Sequence, residues 1–143
     1  MNTAEQLTQV FYNNFTAYYR SHVAHVNIMG RNFASDHELL KGIYEDLQDQ
    51  IDVIAELLRT IDEFMPSEIQ FVLNESTIGT GIFEGDSEEL LMGVRDDLET
   101  LKGFYESLME EAEQDGHKEI ANYAQERILA IAKFIWMLNA TLD

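Results

Sequence analysis

Apolar residues recur at steps of three or four along four long segments of the chain, which is the spacing of one face of an α-helix. Breaks at Gly30, at residues 66–86 and at Asp115-Gly116 separate the segments. The pattern therefore predicts four long amphipathic helices. Their stripes are Leu7, Val10, Phe11, Phe15, Tyr18, His22 and His25; Leu40, Ile43, Tyr44, Leu47, Ile51, Ile54, Leu58 and Ile61; Leu90, Leu91, Val94, Leu98, Leu101, Phe104, Tyr105 and Leu108; and Ile120, Tyr123, Ala124, Ile128, Ile131, Ile135 and Leu138.

Capping residues indicate where these helices begin. The stretch 3–6, Thr-Ala-Glu-Gln, has the form of a capping box and predicts the first start at its threonine. The second helix is predicted to begin near Asn32 or Ser35. Asp86 followed three positions later by Glu89 predicts the start of the third.

Residues 66–86 hold Pro66 and three glycines, with a possible short helix over 67–74. About twenty residues is long for a hairpin between adjacent helices, but it suits a crossover that runs the length of a bundle. We therefore predict an all-α fold: a ferritin-like four-helix bundle with a long crossover, carrying a short extra helix, between the second and third long helices. Residues 1–143 are expected to form a single domain.

The net charge is −18, from 27 acidic residues against 9 lysines and arginines. Such a surface repels nucleic acid and anionic lipid and attracts cations, although solubility alone is the simpler explanation. There is no cysteine, no run of 18 apolar residues and no basic-then-apolar N-terminal stretch. We expect a cytoplasmic protein that does not enter a membrane.

The chain has 27 acidic residues but only four histidines as potential metal ligands. The chain has no Glu-x-x-His sequence, so a di-iron site inside the bundle is not expected. Asp52 and Glu56 lie one turn apart, roughly 120° and 160° from Leu40 around the helix axis, and thus away from the core. Solvated surface is the ordinary explanation of such a pair.

His37 precedes Asp52 by 15 residues on the same helix, a rise of about 22 Å, so one metal ion cannot contact both within one subunit. A two-fold axis pairing this helix with its copy could bring His25 and His37 of one chain beside Asp52 and Glu56 of the other. Two imidazoles and two carboxylates would suit Fe(II), Mn(II) or Zn(II).

Three stretches carry a family likeness. "AHVNIMGRNFASDHELL" (24–40) resembles the His-Trp-Asn-x-x-Gly-x-Asn-Phe…His-Glu signature of the Dps family of small ferritins. "DQIDVIAELL" (49–58) resembles its Asp-x-x-x-Glu motif, and "KFIWMLNATL" (133–142) resembles its closing helix. The likeness extends over nearly the whole chain.

The resemblance implies that His25 and His37 are iron ligands from one subunit and that Asp52 and Glu56 come from its two-fold mate; these four would be both metal-binding and catalytic residues. It also implies a homo-oligomer, a hollow dodecamer. That shell would oxidise Fe(II) to Fe(III), preferentially with hydrogen peroxide, and store the ferric mineral inside. Zn²⁺ or Mn²⁺ could occupy the same site.

Three departures from the family pattern matter. Val26 replaces the usual tryptophan after the first histidine, and Lys41 stands where an acid is common. Lys41 could weaken a second iron position or pair with Glu45. Residues 1–10 lack the lysines of the DNA-binding tails found in some members, and twelve subunits would carry roughly 200 negative charges, so direct DNA binding is not expected.

Alternatives remain open at this stage: a non-catalytic ion-binding or structural cage disabled by Lys41, a DNA-compacting protein, or a monomeric four-helix adaptor. His22 is expected to pack or to bond a backbone carbonyl rather than to extend the site. Tyr18, Tyr19 and Tyr44 are expected to be core residues rather than redox groups, and Trp136 is expected to pack.

Overall fold

The computed structural model describes all 143 residues and contains five helices and no strand. The helices are α1 (Thr3–Asn27), α2 (Phe33–Thr60), α3 (Ile69–Glu75), α4 (Ser87–Gln114) and α5 (Lys118–Leu142). The predicted all-α fold is confirmed, with four long helices and one short helix in the crossover between α2 and α4. No helix combines the length and apolar character needed to cross a membrane.

Long helices that are neighbours in the chain pack against each other. α1 lies against α2, α4 lies against α5, and α1 also contacts α4, while α3 packs on α1. A single cluster of 29 buried apolar residues fills the space between them. Removing this apolar surface from water is the main stabilising contribution.

Polar side chains bridge α2 and α5. The guanidinium of Arg127, almost fully buried, donates two hydrogen bonds to the Asp46 carboxylate at 3.1 and 2.5 Å. Beside it, the Tyr123 hydroxyl donates to Gln50 at 2.6 Å and lies 3.4 Å from the Tyr105 hydroxyl. Burial raises the pKa of both tyrosines.

The predicted helix starts are partly confirmed. The Asp86 and Glu89 capping box is present at α4. The capping box at Thr3 is wrong by one residue, because Asn2 caps α1 by accepting a hydrogen bond from the Glu5 amide. Thr3 instead donates to the carboxylate of Asp115, the residue that follows α4, through its hydroxyl at 2.6 Å and its amide at 3.0 Å.

Asn32 directly precedes α2, so the alternative start at Ser35 is wrong. Ser35 lies inside the helix and donates to the Asn32 carbonyl. Gly30 has φ +121°, a conformation that L side chains rarely adopt. The predicted chain break at Gly30 is thereby confirmed.

Asn13 on α1 fixes the crossover. Its buried side-chain oxygen accepts hydrogen bonds from the amides of Thr77 (2.9 Å) and Ile78 (3.0 Å) and from the Ser76 hydroxyl (3.2 Å). A surface loop would leave these amides to water. The crossover is therefore bonded to the bundle as well as packed on it.

One of the three tyrosines expected in the core lies outside it. Tyr19 is 62% exposed, so its core prediction is wrong for the single subunit, and Trp136, expected to pack, is 64% exposed there. Tyr18 is half-buried and packs at the edge of the core, whereas the half-buried Tyr44 lies against His22 and His25.

Candidate metal site

The two histidines assigned as ligands meet at the corner between α1 and α2. The Nδ1 atom of His25 lies 2.7 Å from the carbonyl oxygen of His37, and the Nδ1 atom of His37 lies 2.7 Å from the carbonyl oxygen of His25. The rings are stacked, with centroids 3.8 Å apart. Phe33 stacks on the other side of His37 at 4.8 Å.

These bonds fix the protonation of both rings. A carbonyl oxygen only accepts, so each Nδ1 must carry the proton, and each Nε2 is left with a lone pair and no hydrogen-bond partner in the subunit. Metal-binding histidines are commonly oriented in this way, with the second ring nitrogen donating to a carbonyl or carboxylate. The pair therefore presents two preorganised nitrogen donors.

The two carboxylates lie farther along α2. Asp52 and Glu56 are both exposed, as their angular position relative to Leu40 predicted. A hydrogen bond with Asp52 and the negative charge of that residue raise the pKa of Glu56. The two carboxylates are thus close enough for one to affect how the other binds a proton.

The four residues do not meet within one subunit. No group of three or more His, Asp or Glu residues is close enough to hold a metal ion in the single chain. The helical rise puts His37 and Asp52 about 22 Å apart. The chain thus contains two separate pairs of donors, each too small for a complete site.

Lys41 lies one turn after His37 on α2 and is exposed. The ion pair with Glu45 that the sequence suggested is not formed in the subunit, where the salt bridges involve Arg20, Arg95, His117 and Arg127. A free ammonium group therefore stands on the same face of α2 as the assigned ligands.

A second aromatic arrangement, which was not predicted, lies beside the histidines. The His22 ring stacks on Tyr44 with centroids 4.0 Å apart and an interplanar angle of 8°. Its Nδ1 lies 3.1 Å from the Tyr18 hydroxyl. Of the two structural roles expected of His22, packing is therefore confirmed, and the bond to a backbone carbonyl is not formed. The spacing of Tyr18, His22 and His25 along one face of α1 was the available signal.

The family model for the ferritin-like domain matches residues 4–143. The DNA protection during starvation protein of Helicobacter pylori is 25% identical over 146 residues, covering 99% of both chains. Antigen TpF1 of Treponema pallidum is 29% identical over 143 residues, covering 96% of this chain and 78% of its own.

Solved structures show the same similarity. The crystal structure of the Dps protein from Vibrio cholerae O1, described as a member of a broad superfamily of ferritin-like diiron-carboxylate proteins, is 26% identical and superposes with a TM-score of 0.93. It covers 99% of this chain and 89% of its own. The Helicobacter cinaedi CAIP structure is 26% identical with a TM-score of 0.91, over 99% of this chain and all of its own. The chain belongs to the ferritin-like domain family, within which it is a Dps-type miniferritin.

Proposed function

We propose that this protein oxidises Fe(II), with hydrogen peroxide as the preferred oxidant, at sites shared between two subunits. The ferric product is stored inside a hollow shell of twelve copies. Iron is the substrate and cargo, and the shell protects its surroundings from oxidative damage. The relatives named for DNA protection support the protective role.

The reciprocal bonding of His25 and His37 is the observation that carries the proposal. Two stacked imidazoles held by each other's carbonyl groups leave both Nε2 atoms available, which is the second-sphere arrangement of metal-binding histidines. Nothing else in the subunit uses these nitrogens. Two neutral donors without a carboxylate bind Fe(II) weakly, so the pair needs partners from elsewhere.

Asp52 and Glu56 of a two-fold mate are the proposed partners. An antiparallel pairing of α2 with its copy would bring the carboxylates of each chain to the histidines of the other, giving two equivalent sites at each interface. Large apolar side chains are exposed near both halves: Phe33, beside His37, is 43% exposed, and Val53, beside Asp52, is 38% exposed. In the proposed pairing of α2 with its copy, both side chains would be covered by the partner.

The chemistry follows from the donors. Imidazole and carboxylate ligands hold Fe(II) and favour Fe(III) once it forms, because carboxylates are hard anionic donors. Each of two Fe(II) ions gives one electron, and peroxide takes both electrons and two protons to give two water molecules. Peroxide reduced in this way releases no hydroxyl radical. Mn²⁺ and Zn²⁺ are further cations that the same donors would accept.

We place this iron store in the cytoplasm. The charge of the chain fits a store that works without contacting DNA. The net charge of −18 draws cations towards the shell and repels phosphate backbones. Exposed carboxylates would offer ferric ions their first binding positions inside the shell. We therefore propose protection by removing iron and peroxide.

The test is a double variant, Asp52→Asn with Glu56→Gln, which keeps side-chain size and removes both charges. Peroxide-dependent Fe(II) oxidation should fall to the rate of the free ion in solution. The matched control is Glu106→Gln with Glu110→Gln, two exposed acids also four apart but on α4, which should oxidise iron like the parent. A double variant as fast as the parent would show that the assigned site is wrong.

A second candidate function is a non-catalytic cage, and the unpaired Lys41 favours it. Its ammonium group would oppose a cation bound one turn away. Titration of the assembled protein with Fe(II) under argon separates the two functions. Saturable sites that His37→Ala removes support the ferroxidase, and their absence in the parent supports the passive cage.

A further inference from the structure

A continuous row of aromatic rings leads away from the histidine pair along the half-buried edge between α1 and α2. His37 stacks on His25, and the His25 ring centroid lies 5.0 Å from that of Tyr44. Tyr44 stacks on His22 at 4.0 Å and lies 6.4 Å from Tyr18. Each ring is thus in or near van der Waals contact with the next, which is the condition for rapid electron transfer between them.

The Tyr18 end of this row has a proton acceptor. The Tyr18 hydroxyl donates to Nδ1 of His22 at 3.1 Å when that ring carries its proton on Nε2. A phenol that loses an electron becomes strongly acidic, so tyrosine oxidation is easy only where a base can take the proton. Tyr44 has no hydrogen-bond partner for its hydroxyl in the subunit, and it is therefore suited to pass an electron rather than to supply one.

We propose that Tyr18, with His22 as its base, supplies the second electron for peroxide reduction when a single Fe(II) is bound, and that Tyr44 connects it to the site. This inference rests on the proposed function. Lys41 explains why an electron from tyrosine would be needed, because its free ammonium group on the ligand face disfavours binding of a second Fe(II). One iron gives only one electron, and peroxide that receives one electron releases hydroxyl radical.

The step balances with peroxide as the oxidant. One Fe(II), one Tyr18 phenol, one neutral His22, one hydrogen peroxide and two protons give one Fe(III), one neutral tyrosyl radical, one protonated His22 and two water molecules. The oxygen–oxygen bond breaks with one electron from iron and one from Tyr18. The phenolic proton moves to His22, and a later Fe(II) returns the electron to Tyr18.

The other tyrosines lack this combination of features. Tyr19, the next residue, is 62% exposed and takes no part in the row. Tyr12 meets Phe71 edge to face, away from the histidines. Tyr105 and Tyr123 bond each other and Gln50, and no histidine receives their protons.

The experiment uses the assembled full-length protein loaded with one Fe(II) per subunit, mixed with hydrogen peroxide and frozen rapidly for electron paramagnetic resonance. We expect a tyrosyl radical whose hyperfine pattern narrows when the protein contains ring-deuterated tyrosine. Tyr18→Phe should remove the signal, and His22→Phe, which keeps an aromatic ring on Tyr44 but removes the base, should reduce it by roughly tenfold or more. Tyr19→Phe is the matched control and should retain it.

Fe(III) formation, followed optically in the same samples, distinguishes the ferroxidase activity from the role of Tyr18. Fe(III) formed without any radical, or a radical that survives Tyr18→Phe, would overturn the role of Tyr18 and leave the ferroxidase intact. If the parent forms no Fe(III) with peroxide, the ferroxidase itself is wrong, and the tyrosine role falls with it. The Co(II) spectrum of Tyr18→Phe should match the parent, which excludes loss of the site as the cause.

Discussion

His25 and His37 hold each other in place across the Gly30 corner. Each Nδ1 donates to the other residue's carbonyl oxygen at 2.7 Å, and the two rings stack at 3.8 Å. The two bonds tie the last turn of α1 to the first turn of α2. One arrangement thus stabilises the corner and orients the two free Nε2 atoms.

We predict that His37→Phe separates these two roles. Phenylalanine keeps the stacking but loses one hydrogen bond, so the free energy of unfolding should fall by only about 1 kcal/mol. Co(II) binding by the assembled protein should weaken by more than the roughly tenfold to hundredfold that loss of an outer-sphere partner costs, because a ligand itself is gone. Calorimetric titration measures this. His117→Phe, at the exposed start of α5, should bind like the parent, and an unchanged affinity in His37→Phe would remove this histidine from the site.

Lys41 gives a second prediction. Lys41→Glu replaces a free positive charge near the ligands with a carboxylate, so the assembled protein should bind more Co(II) or Zn(II) per subunit, approaching two ions per site instead of one. Equilibrium dialysis with metal analysis gives the ratio. Lys133→Glu makes the same change of charge on exposed α5 and should leave the ratio unaltered. Equal ratios in all three proteins would mean that Lys41 does not limit occupancy.

Local sequence signals predicted the helices because each signal acts within a few residues. The Asp86–Glu89 box needs only one turn of chain, and the periodic stripe of α4 needs only its own length. The shift of the α1 cap from Thr3 to Asn2 shows the limit of this approach. Thr3 finds Asp115, which is 112 positions away in the chain, and no local pattern contains that bond.

Apolar content alone could not distinguish the core from surfaces exposed on the single subunit. Tyr19 was expected in the core and Trp136 was expected to pack because both are large and aromatic, yet both are mostly exposed. Arg127 is the opposite case, a buried residue that was not predicted to be in the core. It lies between Ala124 and Ile131 in the buried stripe of α5, and this spacing could have indicated a buried cation with an acidic partner.

Asn13 should prove important for the stability of the crossover. Asn13→Ala leaves the buried amide of Ile78 without an acceptor and removes the bonds from Thr77 and Ser76. The free energy of unfolding should fall by about 2 kcal/mol, within the range for buried unsatisfied groups. Hydrogen exchange at the Thr77 and Ile78 amides should accelerate. Asn122→Ala, exposed on α5, serves as the control, and slow exchange preserved in Asn13→Ala would contradict the prediction.

The Arg127–Asp46 pair should be costly to break and inexpensive to replace. Asp46→Ala leaves a buried guanidinium without its counter-charge, so the free energy of unfolding should fall by about 3 kcal/mol. Replacing both residues, Arg127→Met with Asp46→Leu, should recover most of that loss because no charge is then buried. Asp96→Ala breaks the exposed pair with Arg95 and should cost less than about 1 kcal/mol. Urea denaturation of the four proteins compares them, and a double variant less stable than Asp46→Ala would contradict this view of the pair.

The bond between Thr3 and Asp115 predicts how stability responds to acid. Hydrogen bonds from the Thr3 hydroxyl and amide hold the pKa of Asp115 below its ordinary value, so the folded chain binds this proton more weakly than the unfolded chain does. The stabilisation is therefore fully present above the ordinary aspartate pKa of about 3.9 and is lost as the pH falls through the lower folded pKa. Thr3→Val removes the hydroxyl bond, so its melting temperature should lie below the parent's at neutral pH and converge with it in acid. Thr8→Val removes a hydroxyl bond to the Ala4 carbonyl, where no acid is involved, and its difference from the parent should not depend on pH in this way. A Thr3→Val difference that widens on acidification would mean that Asp115 does not accept this bond as a carboxylate.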